Sequence, residues 1–144
     1  MRTLIVTGVV TALLSVVCTA LTEWMQPAVT IIPGFLHILQ SHNAGIAYGM
    51  KLPAAVQTGV IVVAFILVAV FAIRSKRDPI ADIGFGLILG GALGNILDRL
   101  PDGLVTDFLS IGTFPTFNLA DAFISIGVGM LIVEELRKRK IDRR

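Results

Sequence analysis

Three aspartates in the second half of the chain stand at or within apolar stretches, where an ionised side chain is costly. Asp98 ends one apolar run, Asp107 lies within "LVTDFLSI", and Asp121 opens the run "ADAFISIGVGMLIV". Ionisable residues at membrane depth are candidates for function. Two carboxylates held a few ångströms apart share one proton, because both cannot ionise comfortably. Such a pair can hydrolyse a peptide bond, with one carboxylate as base and the other as acid.

Other side chains on the same side of the chain could support such a pair. The asparagines available as hydrogen-bond partners are Asn43, Asn95 and Asn118. No Ser/His/Asp or Cys/His arrangement competes, since Cys18 is far in sequence from both His37 and His42. The histidines have no partner at metal-ligand spacing, so we expect neither a metal nor a cofactor.

A structural explanation is open for two of these acidic residues. Asn118 and Asp121 have the three-residue spacing of a helix N-terminal cap, where the helix dipole also stabilises negative charge. Asp98 and Arg99 could form an anchor at the membrane interface. A cap and an anchor do not explain all three acidic residues, because Asp107 is a further carboxylate between hydrophobic neighbours.

The composition places the chain in a membrane. Hydrophobic residues make up 55% and charged residues only 15%, whereas a soluble domain carries about 25% charged residues. We expect a single domain over residues 1–144, an all-α membrane protein with four transmembrane helices. Each apolar segment has about the 20 residues that a transmembrane helix needs. These segments lie near residues 4–22, 54–73, 79–99 and 118–136.

Positive charge predicts the orientation of these helices. All but two of the twelve lysines and arginines lie at the N-terminus, in the hinge "RSKRD" or in the C-terminal tail. The positive-inside rule then places both termini in the cytoplasm, and it places residues 23–53 and a predicted loop at about 100–117 outside. Prolines make the first external segment too broken for a helix, and its runs "AVTII" and "GFLHILQ" have strand-like apolar character, which favours a small sheet there. Because topology explains the positive charge, we expect no nucleic-acid partner.

Glycines recur at four-residue spacing in the third predicted helix, at Gly86, Gly90 and Gly94. This small-xxx-small pattern lets membrane helices approach closely. No predicted strand precedes the glycines, so they do not indicate a dinucleotide-binding loop. The pattern therefore predicts close helix packing.

Four short motifs resemble, in their order, the successive motifs of lipoprotein signal peptidase (signal peptidase II). They are "NAGIAYG" at 43–49, "GGALGNILDR" at 90–99, "VTDF" at 105–108 and "FNLADA" at 117–122. The resemblance covers essentially the whole chain. It implies an aspartic endopeptidase of the bacterial cytoplasmic (inner) membrane, multi-pass, with its active site on the external side. It also implies that the first external segment, residues 23–53, forms a small β-cradle on the membrane surface. Such an enzyme removes signal peptides from diacylglyceryl-modified prolipoproteins and cuts just before the lipidated cysteine.

The resemblance also assigns residues and partners. The catalytic pair maps onto Asp107 and Asp121, and which of the two is the base stays open because they titrate together. The implied partners are prolipoprotein substrates and membrane lipid, and we expect a monomer. The positions implied to shape the site or bind substrate are Asn43, Gly45, Asn95, Asp98, Arg99 and Asn118.

The chain departs from the family at the outer end of the first helix. The family commonly has Asp-x-x-Thr-Lys there, whereas "TALTE" has Thr19 in place of the acid and Glu23 in place of the lysine. An inactive homologue that binds lipoprotein precursors is therefore one alternative. A small four-helix transporter is another, although it needs a carboxylate near mid-bilayer, and the acids here cluster at one surface.

Overall fold

The computed structural model describes residues 1–25, 28–43, 54–75 and 78–142. Within these ranges the chain forms four helices and three strands. In chain order they are α1 Arg2–Trp24, β1 Val29–Ile32, β2 Leu36–Asn43, α2 Ala54–Arg74, α3 Pro79–Arg99, β3 Val105–Ile111 and α4 Leu119–Asp142. Each helix overlaps a predicted apolar segment, and α4 extends six residues beyond its predicted end at residue 136.

Three of the helices are long and apolar enough to cross a membrane. They are α1, α3 and the Val56–Arg74 part of α2. The fourth helix, α4, has 24 residues, but its apolar run is bounded by Asp121 and Glu134. That run spans about 20 Å at 1.5 Å per residue, which is less than the ~30 Å hydrocarbon core. The chain is therefore a mostly helical membrane protein, with three helices that could span the bilayer by composition alone.

Small residues bring α1 and α3 into close contact. A Cβ atom built on Gly86 would lie 2.6 Å from the Cβ of Thr7, and one built on Gly90 would collide with the carbonyl oxygen of Gly8. Real Cβ atoms do not tolerate such contacts. The structure therefore confirms the predicted role of the glycine repeat in helix packing.

Gly90→Ala should destabilise the folded protein by about 1–3 kcal/mol, because extra volume at a tightly packed contact forces the helices apart. Gly129→Ala is a matched control, since a Cβ there, in the interior of α4, meets nothing within 4 Å. Thermal unfolding in detergent should show a lower midpoint only for Gly90→Ala. An unchanged midpoint for Gly90→Ala would contradict the close packing of α1 against α3.

The strands form one antiparallel sheet in the order β1-β2-β3. Since β3 comes from the second segment that is predicted to be external, the cradle is not confined to the first, and the prediction that residues 100–117 form a loop was wrong for Val105–Ile111. The first four residues of β3 are buried. Its β-branched and aromatic residues suit a strand, but the pairing partner lies more than sixty residues earlier in the chain.

Candidate active site

Five of the predicted site residues meet in one hydrogen-bonded cluster. The ends of β2 and α3 supply two of them, β3 supplies one, and the start of α4 supplies the other two. The ends of several elements thus converge on the site, although the residues are distant in sequence. This polar cluster consists of Asn43, Asn95, Asp107, Asn118 and Asp121.

Asp107 lies at the centre of the polar cluster and is only 2% exposed. Its Oδ2 accepts a hydrogen bond from Nδ2 of Asn43 at 2.8 Å, and its Oδ1 accepts one from Nδ2 of Asn118 at 3.3 Å. Burial raises the pKa of Asp107 to about 6, the Asn43 hydrogen bond opposes that rise, and the negative charge of Asp121 adds to it. Asp107 therefore holds a proton at a pH where an ordinary aspartate is ionised.

Asn118 is the residue through which the two aspartates are connected. It is 2% exposed. Its Nδ2 donates to Oδ1 of Asn95 at 2.9 Å as well as to Asp107, and its Oδ1 accepts from the backbone N–H of Asp121 at 3.0 Å. The last of these bonds is a helix N-cap, so the cap predicted at Asn118 is confirmed.

Capping does not account for the carboxylate of Asp121. Its Oδ1 accepts from Nδ2 of Asn95 at 2.8 Å, so Asn95 and Asn118 form a continuous hydrogen-bonded chain between the two aspartates. Within the described ranges no group donates a hydrogen bond to Oδ2 of Asp121. Asp121 is also less buried than Asp107. One of its oxygens is therefore available for a water molecule or a substrate.

Asp98 and Arg99 lie beside the polar cluster and make separate contacts. Oδ2 of Asp98 accepts from the backbone N–H of Thr106 at 2.8 Å, and Nη1 of Arg99 donates to the backbone oxygen of Asn95 at 3.1 Å. In the part of the chain that the structure describes, the buried Nε of Arg99 has no hydrogen-bond partner. The positive charge of Arg99 acts on Asp107 by opposing the rise in its pKa. The predicted position Gly45 lies outside the described residues.

Sequence analysis did not identify Thr106. This residue is 3% exposed, and its Oγ1 donates to Oε1 of Glu23 at 3.1 Å. The sequence "VTDF" places Thr106 next to Asp107. The contact with Glu23 depends on the packing of β3 against α1, which local sequence patterns do not predict.

Comparison with known proteins places this site in a family. The family model described as Signal peptidase (SPase) II matches residues 3–137. The chain belongs to the signal peptidase II family. A lipoprotein signal peptidase of Mesorhizobium japonicum is 38% identical over 143 residues, which cover 87% of this chain and 84% of that protein. One from Pelotomaculum thermopropionicum is 42% identical over 107 residues, which cover 72% and 70%.

Solved structures agree with this membership. A bacterial membrane enzyme superposes on the chain with a TM-score of 0.85 at 27% identity, and the match covers 94% of each chain. A second solved bacterial membrane enzyme gives a TM-score of 0.79 at the same identity. The arrangement of helices and cradle is thus shared with experimentally determined membrane enzymes, and signal peptidase II membership makes the chain a protease by family.

Proposed function

We propose that this protein is an aspartic endopeptidase that removes signal peptides from diacylglyceryl-modified prolipoproteins, cutting just before the lipidated cysteine. The observation that carries the proposal is the hydrogen-bonded chain that joins Asp107 to Asp121 through Asn118 and Asn95. Membership of the signal peptidase II family supports the substrate class. Asp107 and Asp121 are the proposed catalytic residues.

The environments of the two aspartates support different roles in the reaction. The buried Asp107, with its pKa raised to about 6, donates a proton to the carbonyl oxygen of the scissile peptide. Asp121, with one oxygen that accepts from no donor among the described residues, takes a proton from the attacking water. In the second step Asp121 passes that proton to the leaving nitrogen, and a hydroxyl of the tetrahedral intermediate returns its proton to Asp107. Each step leaves one proton on the pair.

The other members of the site shape and orient this pair. Asn43, Asn95 and Asn118 fix the directions of the carboxylates, and Arg99 supplies a positive charge that acts on Asp107. Because Asp107 is 2% exposed, substrate entry requires the site to open, as in other enzymes whose mobile elements close over the reacting groups.

We further propose four transmembrane spans in the bacterial cytoplasmic membrane, with both termini inside and the aspartates at the external surface. The packing of α4 supports the fourth span. A Cβ built on Gly91 would lie 2.6 Å from the carbonyl oxygen of Ala120, and one on Gly127 would lie 2.6 Å from that of Gly84. These contacts run antiparallel, so α4 returns through the depth that α3 crosses. The clustering of lysine and arginine supports the orientation.

Cleavage of a defined precursor tests this function. The purified protein should cleave a diacylglyceryl-modified prolipoprotein and leave the unmodified precursor intact, and the N-terminus of the product should be the lipidated cysteine. Binding of the modified precursor without cleavage would support the inactive-homologue alternative instead. Cleavage at another bond, or equal cleavage of the unmodified precursor, would contradict the proposed substrate class.

The pH dependence of cleavage should depend on Asp107. Deprotonation removes the acid, so kcat/KM should fall as the pH rises through about 6, the pKa of this carboxyl in the free protein. Asn43→Ala removes a hydrogen bond that lowers this pKa. The pKa should therefore rise, and the alkaline fall in kcat/KM should move up by about one pH unit.

A matched variant controls for general loosening of the sheet. Thr30→Ala removes another side-chain hydrogen bond of the cradle, the 3.1 Å contact between Oγ1 of Thr30 and Nδ1 of His37. It should keep the wild-type pH profile. A fall at unchanged or lower pH in Asn43→Ala would contradict the proposed role of Asp107 as the acid.

A further inference from the structure

We propose that Glu23 is a positioning residue for peptide cleavage, acting on Asp107 through Thr106. The proposal rests on the catalytic role proposed for Asp107. Oγ1 of Thr106 donates to Oε1 of Glu23 at 3.1 Å, and its backbone N–H donates to Oδ2 of Asp98 at 2.8 Å. Glu23 belongs to α1 and Asp98 to α3, so the strand is anchored to two helices immediately beside the catalytic residue.

The strand geometry links the contacts of Thr106 to the direction in which the side chain of Asp107 points. Successive side chains of a strand point to opposite faces. Thr106 therefore points towards α1, and Asp107 points towards Asn43 and Asn118, the partners that its carboxylate contacts. A shift of β3 by one residue would exchange these faces. Holding Thr106 on one face thus keeps Asp107 on the other.

The pairing of β2 with β3 is interrupted beside the catalytic residue. Ile38 pairs with Leu109, but the next pair is Ser41 with Asp107, so β2 carries an extra residue at this point. Such a β-bulge interrupts the ladder and leaves backbone groups unpaired. The interruption lies directly beside Asp107, so the contact of Thr106 with Glu23 adds a restraint from outside the sheet at this point.

The chemistry of Glu23 suits this task. Thr106 offers one backbone N–H and one hydroxyl hydrogen, and two carboxylates accept one each. Residue 23 is a position where the family resemblance fails, because a glutamate stands where a lysine is usual. Glu23 can hold Thr106 because its carboxylate accepts a hydrogen bond. An apolar residue at this position could not accept that bond.

Kinetics of single and double variants test the proposal. Glu23→Ala and Thr106→Val should each lower kcat for the diacylglyceryl-modified precursor by about tenfold to a hundredfold, with KM little changed, because small displacements of a catalytic group are costly. Glu23→Gln and Thr106→Ser keep an acceptor and a hydroxyl, so both should retain most of the activity. The double variant Glu23→Ala/Thr106→Val should be no slower than the slower single variant.

Several outcomes would overturn the proposal. They are wild-type kcat in Glu23→Ala, a rise in KM alone, or independent losses that multiply in the double variant. Rates must be normalised to folded enzyme, because a purely structural contact would reduce the folded amount or the unfolding temperature without changing kcat per folded molecule. Activity in Asp107→Asn would instead refute the proposed catalytic pair, which separates the two failures.

Discussion

Asp107→Asn and Asp121→Asn should each reduce cleavage of a diacylglyceryl-modified precursor by about 10³-fold or more. Asparagine keeps the shape of the side chain but can neither accept a proton as a carboxylate does nor donate one as a carboxylic acid does. General acid–base catalysis by one side chain contributes about 10²–10⁴-fold, and the two aspartates act as a unit, so losing either removes most of the effect. Rates of precursor cleavage by folded protein in detergent or lipid provide the measurement.

Asp102→Asn is the matched control for these variants. It removes a negative charge from the same end of the protein, but within the described ranges the hydrogen bond of Asp102 is the one that its Oδ1 accepts from the backbone N–H of Leu104 in an exposed turn. This variant should cleave at the wild-type rate. Full activity in Asp107→Asn or in Asp121→Asn would refute the assignment of that residue as catalytic.

Asn118→Ala should have the second largest effect, on both stability and rate. The substitution removes the cap of α4, which costs about 1 kcal/mol, and leaves buried oxygens of Asn95 and Asp107 without a donor, at about 1–3 kcal/mol each. It also breaks the chain of hydrogen bonds between Asp107 and Asp121. We expect a loss of about 10²-fold in kcat, because the carboxylates are no longer held in one geometry.

Asn118→Ser separates these two effects. Serine caps a helix about as well as asparagine, but it has no amide group to donate to Asn95 and Asp107. Thermal unfolding should therefore show partial recovery relative to Asn118→Ala, while the cleavage rate should stay low. Recovery of the full rate in Asn118→Ser would show that only the cap matters and that the amide bridge has no part in positioning the aspartates.

Local sequence patterns were enough to predict much of the site. Asp107 and Asp121 can be recognised because ionisable groups in apolar stretches are costly and are therefore candidates for function. The cap at Asn118 is predicted by its spacing to Asp121. The four-residue spacing of Gly86 and Gly90 predicts close packing of the helix. Each of these features depends on residues a few positions apart, or on the low polarity of a long segment.

The features that sequence did not predict depend on distant parts of the chain. The sequence predicts a loop where β3 forms. The strand is stabilised by pairing with β2, and the two segments come together only in the folded protein. The contact between Glu23 and Thr106 likewise joins residues far apart in sequence. Such pairs are brought together by tertiary packing, and no local periodicity specifies them.

The most direct test of a catalytic pair is a structure with a bound peptide that carries a secondary hydroxyl in place of the scissile carbonyl. That hydroxyl resembles the tetrahedral intermediate formed when water adds to the peptide bond. If Asp107 and Asp121 act together on one bond, the hydroxyl will lie within about 2.6–3.2 Å of an oxygen from each carboxylate. A peptide bound with its hydroxyl away from both aspartates, or with the two carboxylates directed to different surfaces, would contradict the proposed mechanism.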